Sequence, residues 1–569
     1  MKFIALHIGH TATAAIMEDG KVLGVLSEEK INNIKNSSAF PHGAIKALYR
    51  EHGWQEGAHI DQILISSAHV YSPSSFSSKS FLKKYFGRFS NNLIYKRLFS
   101  IKRHFQHQSG DHYLIAQLKK AGLSDFPITR IDHHTCHAAA AYYGFSEKPN
   151  QKALIFTMDG EGDGISSTVS VVDKNGFLRR IASTPYNHSI GWMYSATTRF
   201  LGMRILEHEY KVMGLAPYAK NYFLETYKKN FKDVVTLNPD NPLTFKSKLN
   251  MTDFYEYLAK SAVGERFDNI AAALQFATEE LVTKWIKNAI KHTGIKNIYT
   301  GGGVFMNVKL NKKIQEIKEV DRITFMPSCG DESLPIGALY HYAKSQGIKT
   351  YPLNDLYLGI SYADDAINKF LKKNQYSKKY KIKKQRNIDL ALAKLLAKGD
   401  VVARFSGRCE WGARSLGNRA ILAHPSFMES FYMVNDQIKS RDFWMPFAPS
   451  MLDRFANQYL QNYEPEKNEA LYMITAFDAT PKGVKNLKAT IHHGDHSLRP
   501  QIVTKKSNLA YYQLISEFSR LTGVGALLNT SMNLHGYPLV CSPEQALFTF
   551  ENSHLKHLAL GSYLISKNQ

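Results

Sequence analysis

Cysteine is sparse in this chain: Cys136, Cys329, Cys409 and Cys541 are the only four in 569 residues, and no two of them form a Cys-x-x-Cys pair. That spacing excludes zinc fingers and a disulfide framework, and leaves reduced thiols. Long hydrophobic runs are lacking too. No apolar stretch approaches the roughly 20 residues that span a bilayer, and Met1-Lys2-Phe3 enters a strand pattern without the segments of a signal peptide. A cytoplasmic protein with no membrane span is expected. Acidic residues are in deficit, 49 against 72 basic ones, for a net charge of +23. Such a surplus attracts the phosphates of nucleotides, nucleic acid or lipid headgroups alike and selects none of them.

What is present is a globular composition, 44% hydrophobic and 21% charged. The length exceeds one ordinary core, so two domains or one large domain with insertions are expected. The stretch Asp132 to Phe145 stands out, with a His-His-Thr-Cys-His core followed by an alanine-rich run. Alanine propensity favours a helix, which sets His133 and His137 on one face, four residues apart, where two imidazoles can share a metal. Oxygen ligands are available from Asp159, in Met-Asp-Gly-Glu-Gly-Asp-Gly, and from Asp331, in Ser-Cys-Gly-Asp-Glu-Ser. Both follow strand-like runs (153–157 and 323–326), which places each carboxylate at a strand end, where α/β sites gather. Two imidazoles with two carboxylates suit iron(II), manganese or zinc better than calcium.

In chain order, residues 2–8 alternate like a strand, a small-residue turn runs from Gly9-His10 to Ala15, and Glu18-Asp19-Gly20 turns into a second strand over 21–26. Residues 68–118 interrupt the α/β pattern with a serine cluster and a basic, aromatic segment carrying Lys83, Lys84, Arg88, Lys96, Arg97, Lys102 and Arg103. This insertion reads as a loop-and-helix excursion that tunes substrate access, or as a solvated basic surface. Glycines 160, 162 and 164 allow backbone to approach a phosphate or metal near Asp159, and a second hairpin over 153–157 and 167–172 mirrors the first. Lys211, placed between predicted helices, either approaches a nucleotide phosphate or solvates a helix end. A strand over 297–300 runs into Gly301, Gly302 and Gly303, which leave room for an adenosine, and Asn307 is an N-cap candidate.

From residue 390 onward the chain reads as a separate α/β unit, with a helix over 390–397 and a strand over 401–405. Arg408, Arg414 and Arg419 follow among glycines and can grip phosphates bidentately. Lys439 and Arg441, two apart in a segment expected to be extended, share one face, as do Ser531 and Asn533 after the apolar run 524–528. Together they are expected to form a basic-plus-hydroxyl cradle for a triphosphate, the alternative being an ordinary basic surface and a polar turn.

The Lys-x-Arg and Ser-x-Asn pairs resemble the tetrad of YrdC-type domains. The His-x-x-x-His, Asp-Gly and Gly-Gly-Gly-Val-x-x-Asn elements resemble the actin-like metalloprotein domain of the tRNA threonylcarbamoyladenosine enzymes. Fused in this order over essentially the whole chain, they resemble the bacterial O-carbamoyltransferases of the NodU/CmcH family. The resemblance implies an α/β protein with an actin-like domain at 1–355 and a YrdC-like domain at 356–569. It implies that carbamoyl phosphate and ATP with Mg2+ yield carbamoyl adenylate, and that the carbamoyl group then passes to a hydroxyl of a small-molecule or glycan acceptor. On that carry-over His133, His137, Asp159 and Asp331 bind iron, His10 is the base, and Lys439, Arg441, Ser531 and Asn533 hold carbamoyl phosphate and ATP. A tRNA-modifying enzyme is the alternative, but no RNA-recognition signature stands out beyond residues 83–103 and no nucleic-acid partner is expected. The acceptor and the oligomeric state are left open.

Overall fold

A computed structural model of the chain describes residues 1–55, 57–70, 109–148 and 150–567. Most of the 68–118 insertion, including its basic segment, lies outside the described residues. The first sheet comprises β1 (Lys2–His7), β2 (Thr13–Glu18), β3 (Lys21–Ser27), β4 (Gln62–Ile65) and β5 (Ile128–Arg130), in the order 3-2-1-4-5. β1 pairs antiparallel with β2 and parallel with β4. A second sheet repeats this plan with β6 (Leu154–Gly162), β7 (Ile165–Val172) and β8 (Leu178–Pro185). After the hairpin of β9 (Val235–Asn238) and β10 (Asn241–Ser247), β11 (Asn297–Gly301) and β12 (Arg322–Phe325) complete it, in the order 12-11-6-7-8. β6 is antiparallel to β7 and parallel to β11, as β1 is to β2 and β4. The same five-strand topology therefore occurs twice, the duplication expected of an actin-like domain.

Both faces of these sheets are covered. Along β1, Phe3 and Ala5 enter one apolar cluster while Ile4 and Leu6 enter another, so the period-2 alternation serves two cores instead of a core and solvent. One sequence expectation is corrected here. Thr13, Ala14 and Ala15 belong to strand β2 and not to the turn, because burial between Leu6 or Ala5 and the next strand outweighs alanine's weak β preference.

The C-terminal part forms a mixed eight-stranded sheet from β13 (Tyr380–Lys384), β14 (Val402–Phe405), β15 (Arg419–Ala423), β16 (Ala448–Leu452), β19 (Gln501–Val503), β20 (Ala526–Ser531), β21 (His557–Leu560) and β22 (Tyr563–Lys567). Its order is 13-22-21-14-15-20-16-19, and a small ladder of β17 (Phe477–Asp478) and β18 (Ser497–Leu498) lies beside it. No helix among the described residues is long and apolar enough to cross a membrane.

The helix His133–Phe145 starts where the Asp132 side chain accepts from Thr135 N at 2.8 Å, and its alanines 138–141 are all buried. It packs on the helix Leu334–Ser345, which continues directly from the 3-10 turn Asp331–Ser333. The two approach so closely that a Cβ at Gly337 would lie 1.7 Å from the Cys136 carbonyl oxygen. Because that neighbour is backbone, Gly337→Ala forces the helices apart. We expect a loss of roughly 1–3 kcal/mol or more, read as a lowered thermal midpoint, with metal content falling in parallel because Asp331 rides on the displaced segment.

Candidate functional site

Four side chains converge where the two halves of the duplicated fold meet. The helix supplies His133 and His137, the irregular end of β6 supplies Asp159, and the turn after β12 supplies Asp331. One ligand atom from each lies within 4.8 Å of all the others. His133 Nε2 and His137 Nε2 face one another at 3.1 Å. His137 Nε2 stands 3.3 Å from Asp159 Oδ2 and 3.6 Å from Asp331 Oδ1, and His133 Nε2 is 3.6 Å from the same Asp331 oxygen. Burial alone would lower His137, but the hydrogen bonds of Asp159 and Asp331 override it and raise its imidazole to about 9. The carboxylates thus hold positive charge at one point, and the donor set, two imidazole nitrogens and two carboxylates, fits a first-row divalent metal.

The neighbours orient these ligands. Ser333 Oγ lies 3.2 Å from His137 Nδ1, the outer-shell contact that fixes an imidazole. Gly160 N and Gly303 N donate to the two Asp159 oxygens at 2.7 and 2.9 Å. Gly302 has a φ of +94°, and a Cβ there would lie 2.4 Å from the Met158 carbonyl oxygen, so backbone crowding explains glycine at this position. Asn307 caps the helix Val308–Gln315 as the sequence suggested, and its amide is also paired with Gln275 at 2.8 and 3.1 Å. His134, between the two ligands, turns away to Thr157 Oγ1 and the Ile165 carbonyl.

His10 is half-exposed at the rim, with Nε2 3.5 Å from Asp331 Oδ2. His7 sits below it, buried, with Nε2 3.6 Å from the same oxygen, and burial lowers its imidazole to about 4. Sequence reasoning missed His7; its signal was the end of β1, three residues before His10. It also missed Asp163, which accepts from His133 N and Ala68 N at 2.9 Å and from Ser67 Oγ at 2.8 Å. That carboxylate ties the start of the 68–118 insertion to the ligand helix.

In the C-terminal unit, Lys439, Ser531 and Asn533 meet. Lys439 Nζ donates to the Ser531 carbonyl and to Asn533 Oδ1, to the Asn533 carbonyl at 2.9 Å, and to Ser531 Oγ at 3.4 Å. Ser531 Oγ in turn donates to Asn533 Oδ1 at 2.8 Å. Burial, with Arg441 and Lys35 nearby, pushes the Lys439 amine well below its ordinary value. The expected extended Lys439–Arg441 segment is corrected: Lys439 ends a wide helical turn over Met433–Lys439, and Ser440 is left-handed at φ 47°. Arg408 and Arg419, read as phosphate grips, are engaged elsewhere. Arg408 donates to the carbonyls of Leu23, Leu358 and Gly359 at 3.0 Å. Arg419, fully buried over Phe405, donates to those of Ser406 and Gly407 at 2.7 and 3.0 Å. Lys211 lies within the helix Glu209–Leu215 rather than between helices, and pairs with Asp442 at 2.9 Å across the two units.

Residues 3–340 match the family model described as Carbamoyltransferase N-terminus, and residues 393–567 match Carbamoyltransferase C-terminus. Nodulation protein NolNO of Sinorhizobium fredii is 29% identical over 574 residues, covering 98% of this chain and 79% of its own length. An uncharacterized protein of Methanocaldococcus jannaschii is 30% identical over 575 residues, covering 98% of each chain. Among solved structures, full-length HypF in its phosphate- and nucleotide-bound form aligns with a TM-score of 0.35 and 14% identity, over 60% of this chain and 46% of that one.

The convergence of four ligand atoms leads to a metal content of about one per chain. His137→Ala removes the imidazole that lies within 3.6 Å of both carboxylates and should empty the site, with elemental analysis of the purified variant as the check. Metal retained at the wild-type level would dissociate these residues from metal binding.

Proposed function

Because the chain belongs to the carbamoyltransferase family, we propose that it is an ATP-dependent O-carbamoyltransferase with two active centres, one in each of two units divided near residues 355 and 356. The observation that carries this reading is the separate assembly of Lys439, Ser531 and Asn533 in one unit and of the His133, His137, Asp159 and Asp331 set in the other. A hydroxyl is a poor nucleophile at neutral pH, so transfer to it needs an activated carbamoyl donor. Hydrolysis of carbamoyl phosphate releases inorganic phosphate and carbamate. A carbamate oxygen then attacks the α-phosphorus of ATP, pyrophosphate leaves, and carbamoyl adenylate remains. Lys439 and Arg441 neutralise the anions brought together in this step, while Ser531 and Asn533 fix the lysine's direction.

In the second step the acceptor oxygen attacks the carbamoyl carbon, AMP departs, and the hydroxyl proton passes to His10 Nε2. What supports this role is that the turn after β1 brings His10 to the rim of the ligand set while leaving it open to solvent. A divalent metal held by the four ligands, iron(II) in the family reading, would polarise the carbamoyl carbonyl. Gly303 N and Gly160 N keep Asp159 aimed inward. The acceptor class is a small-molecule or glycan hydroxyl, and the attachment of Ser67 and Ala68 to Asp163 puts the start of the insertion beside the transfer centre, where it can shape acceptor entry.

Two variants separate the centres. Lys439→Ala should abolish release of AMP and pyrophosphate from ATP and carbamoyl phosphate, while chemically supplied carbamoyl adenylate still reacts with acceptor; equal loss of both activities would mean a single centre. His10→Asn should preserve metal and adenylate formation and slow decay of preformed carbamoyl adenylate in the presence of acceptor by roughly 10²- to 10⁴-fold, the range for a positioned base. A rate within a few-fold of wild type in that single-turnover measurement would show that the base lies elsewhere.

A further inference from the structure

His7 closes strand β1, three residues before His10, and is buried beneath the turn that carries His10. The two oxygens of Asp331 divide their neighbours. Oδ1 lies 3.6 Å from both His133 Nε2 and His137 Nε2, whereas Oδ2 lies 3.6 Å from His7 Nε2 and 3.5 Å from His10 Nε2. The rings of His7 and His10 stand edge to face, with centroids 6.3 Å apart. His7 Nε2 is also 3.2 Å from the His10 carbonyl oxygen. A carbonyl only accepts, so in this contact the imidazole proton is on Nε2, and Nδ1 is left buried with no hydrogen-bond partner. A position that needed only volume would be filled at less cost by an apolar side chain, which leaves no nitrogen unsatisfied. What accounts for histidine here is therefore the work of Nε2.

The turn needs holding. Thr11 has a φ of +57°, a left-handed conformation that is strained for a β-branched residue. Beyond it, Thr13 Oγ1 donates to the Thr11 carbonyl at 2.7 Å and pairs with Ser27 Oγ at 2.8 Å, and Ala12 N donates to the Ser37 carbonyl at 3.0 Å. These contacts fix the far side of the turn. His10 itself is held through its carbonyl, which accepts from Thr11 Oγ1 at 2.6 Å and from His7 Nε2. The threonine bond joins neighbours in the chain and moves with the turn. The His7 bond ties the turn to the sheet, because β1 is paired on both sides, with β2 and with β4. A Cβ at Gly9 would lie 3.1 Å from His7 Nε2, so the imidazole sits hard against the turn it supports.

We propose that His7 is a positioning residue for His10: it donates from Nε2 to the His10 carbonyl and so holds the His10 imidazole beside Asp331 Oδ2, at the rim of the ligand set. The inference rests on the reading of His10 as the base for transfer, and it gives His7 no contact with substrate. It explains how an exposed turn can present a base in a fixed direction. A base must stay within hydrogen-bond reach of the attacking hydroxyl, and a small displacement of such a group carries a large loss of rate.

The test compares two variants that both lack the imidazole ring: His7→Gln, whose amide can still donate near the Nε2 position, and His7→Leu, which cannot. Full-length protein carrying ring-labelled histidine, with zinc(II) added as a diamagnetic ion, is followed by NMR, and the His10 signal is identified by its loss in His10→Asn. His7→Gln should keep that signal single and narrow, and His7→Leu should split or broaden it; the same His10 signal in both variants overturns the proposal. If the leucine variant loses the wild-type thermal midpoint, His7→Met takes its place, since a flexible thioether fills the space without donating. Single-turnover decay of preformed carbamoyl adenylate, with glycerol as the stand-in hydroxyl, supplies the kinetic arm. His7→Leu should slow it about ten- to a hundredfold, and His7→Gln should recover most of the rate. In a His10→Asn background His7→Leu should change the rate by less than about twofold, because both substitutions remove one function. Equal slowing by His7→Leu in both backgrounds, or loss of metal from that variant, overturns the positioning role. A His10→Asn protein at the wild-type rate refutes the base reading instead, and the NMR comparison then still decides whether His7 holds the turn.

Discussion

The structure depends on holding two carboxylates and two imidazoles at one interior point. Asp159 and Asp331 repel each other there, and burial raises the cost of their charge. A positive charge must lie between them, either on His137 or on a metal. Every segment that reaches this point is shaped by the need to come close. A Cβ at Gly301 would lie 2.9 Å from the His137 carbonyl oxygen, one at Gly162 would lie 2.2 Å from the His133 ring, and one at Gly337 would strike Cys136. The duplicated topology supplies the rest. It ends β6 and β12 on the same side of the ligand helix, so each carboxylate arrives from a strand of the second sheet while His7 and His10 arrive from β1 of the first.

The loop before β15 leans on the N-terminal part of the chain. Lys30, buried beside β3, donates to the carbonyls of Glu410 and Gly412, and Glu410 Oε1 gathers the amides of Leu416, Asn418 and Arg419 at 2.8 to 3.0 Å. The loop that carries Arg414 is therefore folded partly by an N-terminal lysine. Arg408 reaches back to Leu23, Trp444 Nε1 donates to the Lys211 carbonyl at 3.2 Å, and Lys309 pairs with Asp495. Trp411, Leu416, Ile474 and Ala476 complete the apolar core of the N-terminal unit. Buried apolar and charged contacts of this kind resist relative motion far more than a polar seam does, so the Lys439, Ser531 and Asn533 cluster and the His133, His137, Asp159 and Asp331 cluster keep a fixed mutual position.

What could be read from the sequence was what local pattern encodes. Alternation gave β1, short strand-like runs gave β6, β11 and β14, the alanine run gave the ligand helix, and i, i+4 spacing paired its histidines. Asp159 and Asp331 could be picked out because each follows an apolar strand. The misreadings have a shared cause: a side chain's type does not reveal what its polar atoms meet. Arg408 and Arg419 looked like Arg414, yet backbone carbonyls take up their donors, from segments distant in sequence for Arg408 and from the preceding loop for Arg419. Lys439 and Arg441 are held by a wide helical turn and a left-handed Ser440, which no two-residue periodicity signals.

The net charge of +23 illustrates the same distinction. Part of it lies on β13, the edge strand of the eight-stranded sheet, where Lys381, Lys383 and Lys384 are exposed. Lysines on an edge strand oppose pairing with another sheet, because a partner strand would have to desolvate them. Others sit in exposed i, i+3 or i, i+4 pairs such as Lys228 with Glu225 and Lys284 with Glu280, which contribute little to stability. None of these charges points to a ligand. The enclosed cations, Lys439 among them, are few, and their sum is invisible in a total dominated by the surface. A surplus of basic residues therefore says less about what this protein binds than the handful of cations that the fold encloses.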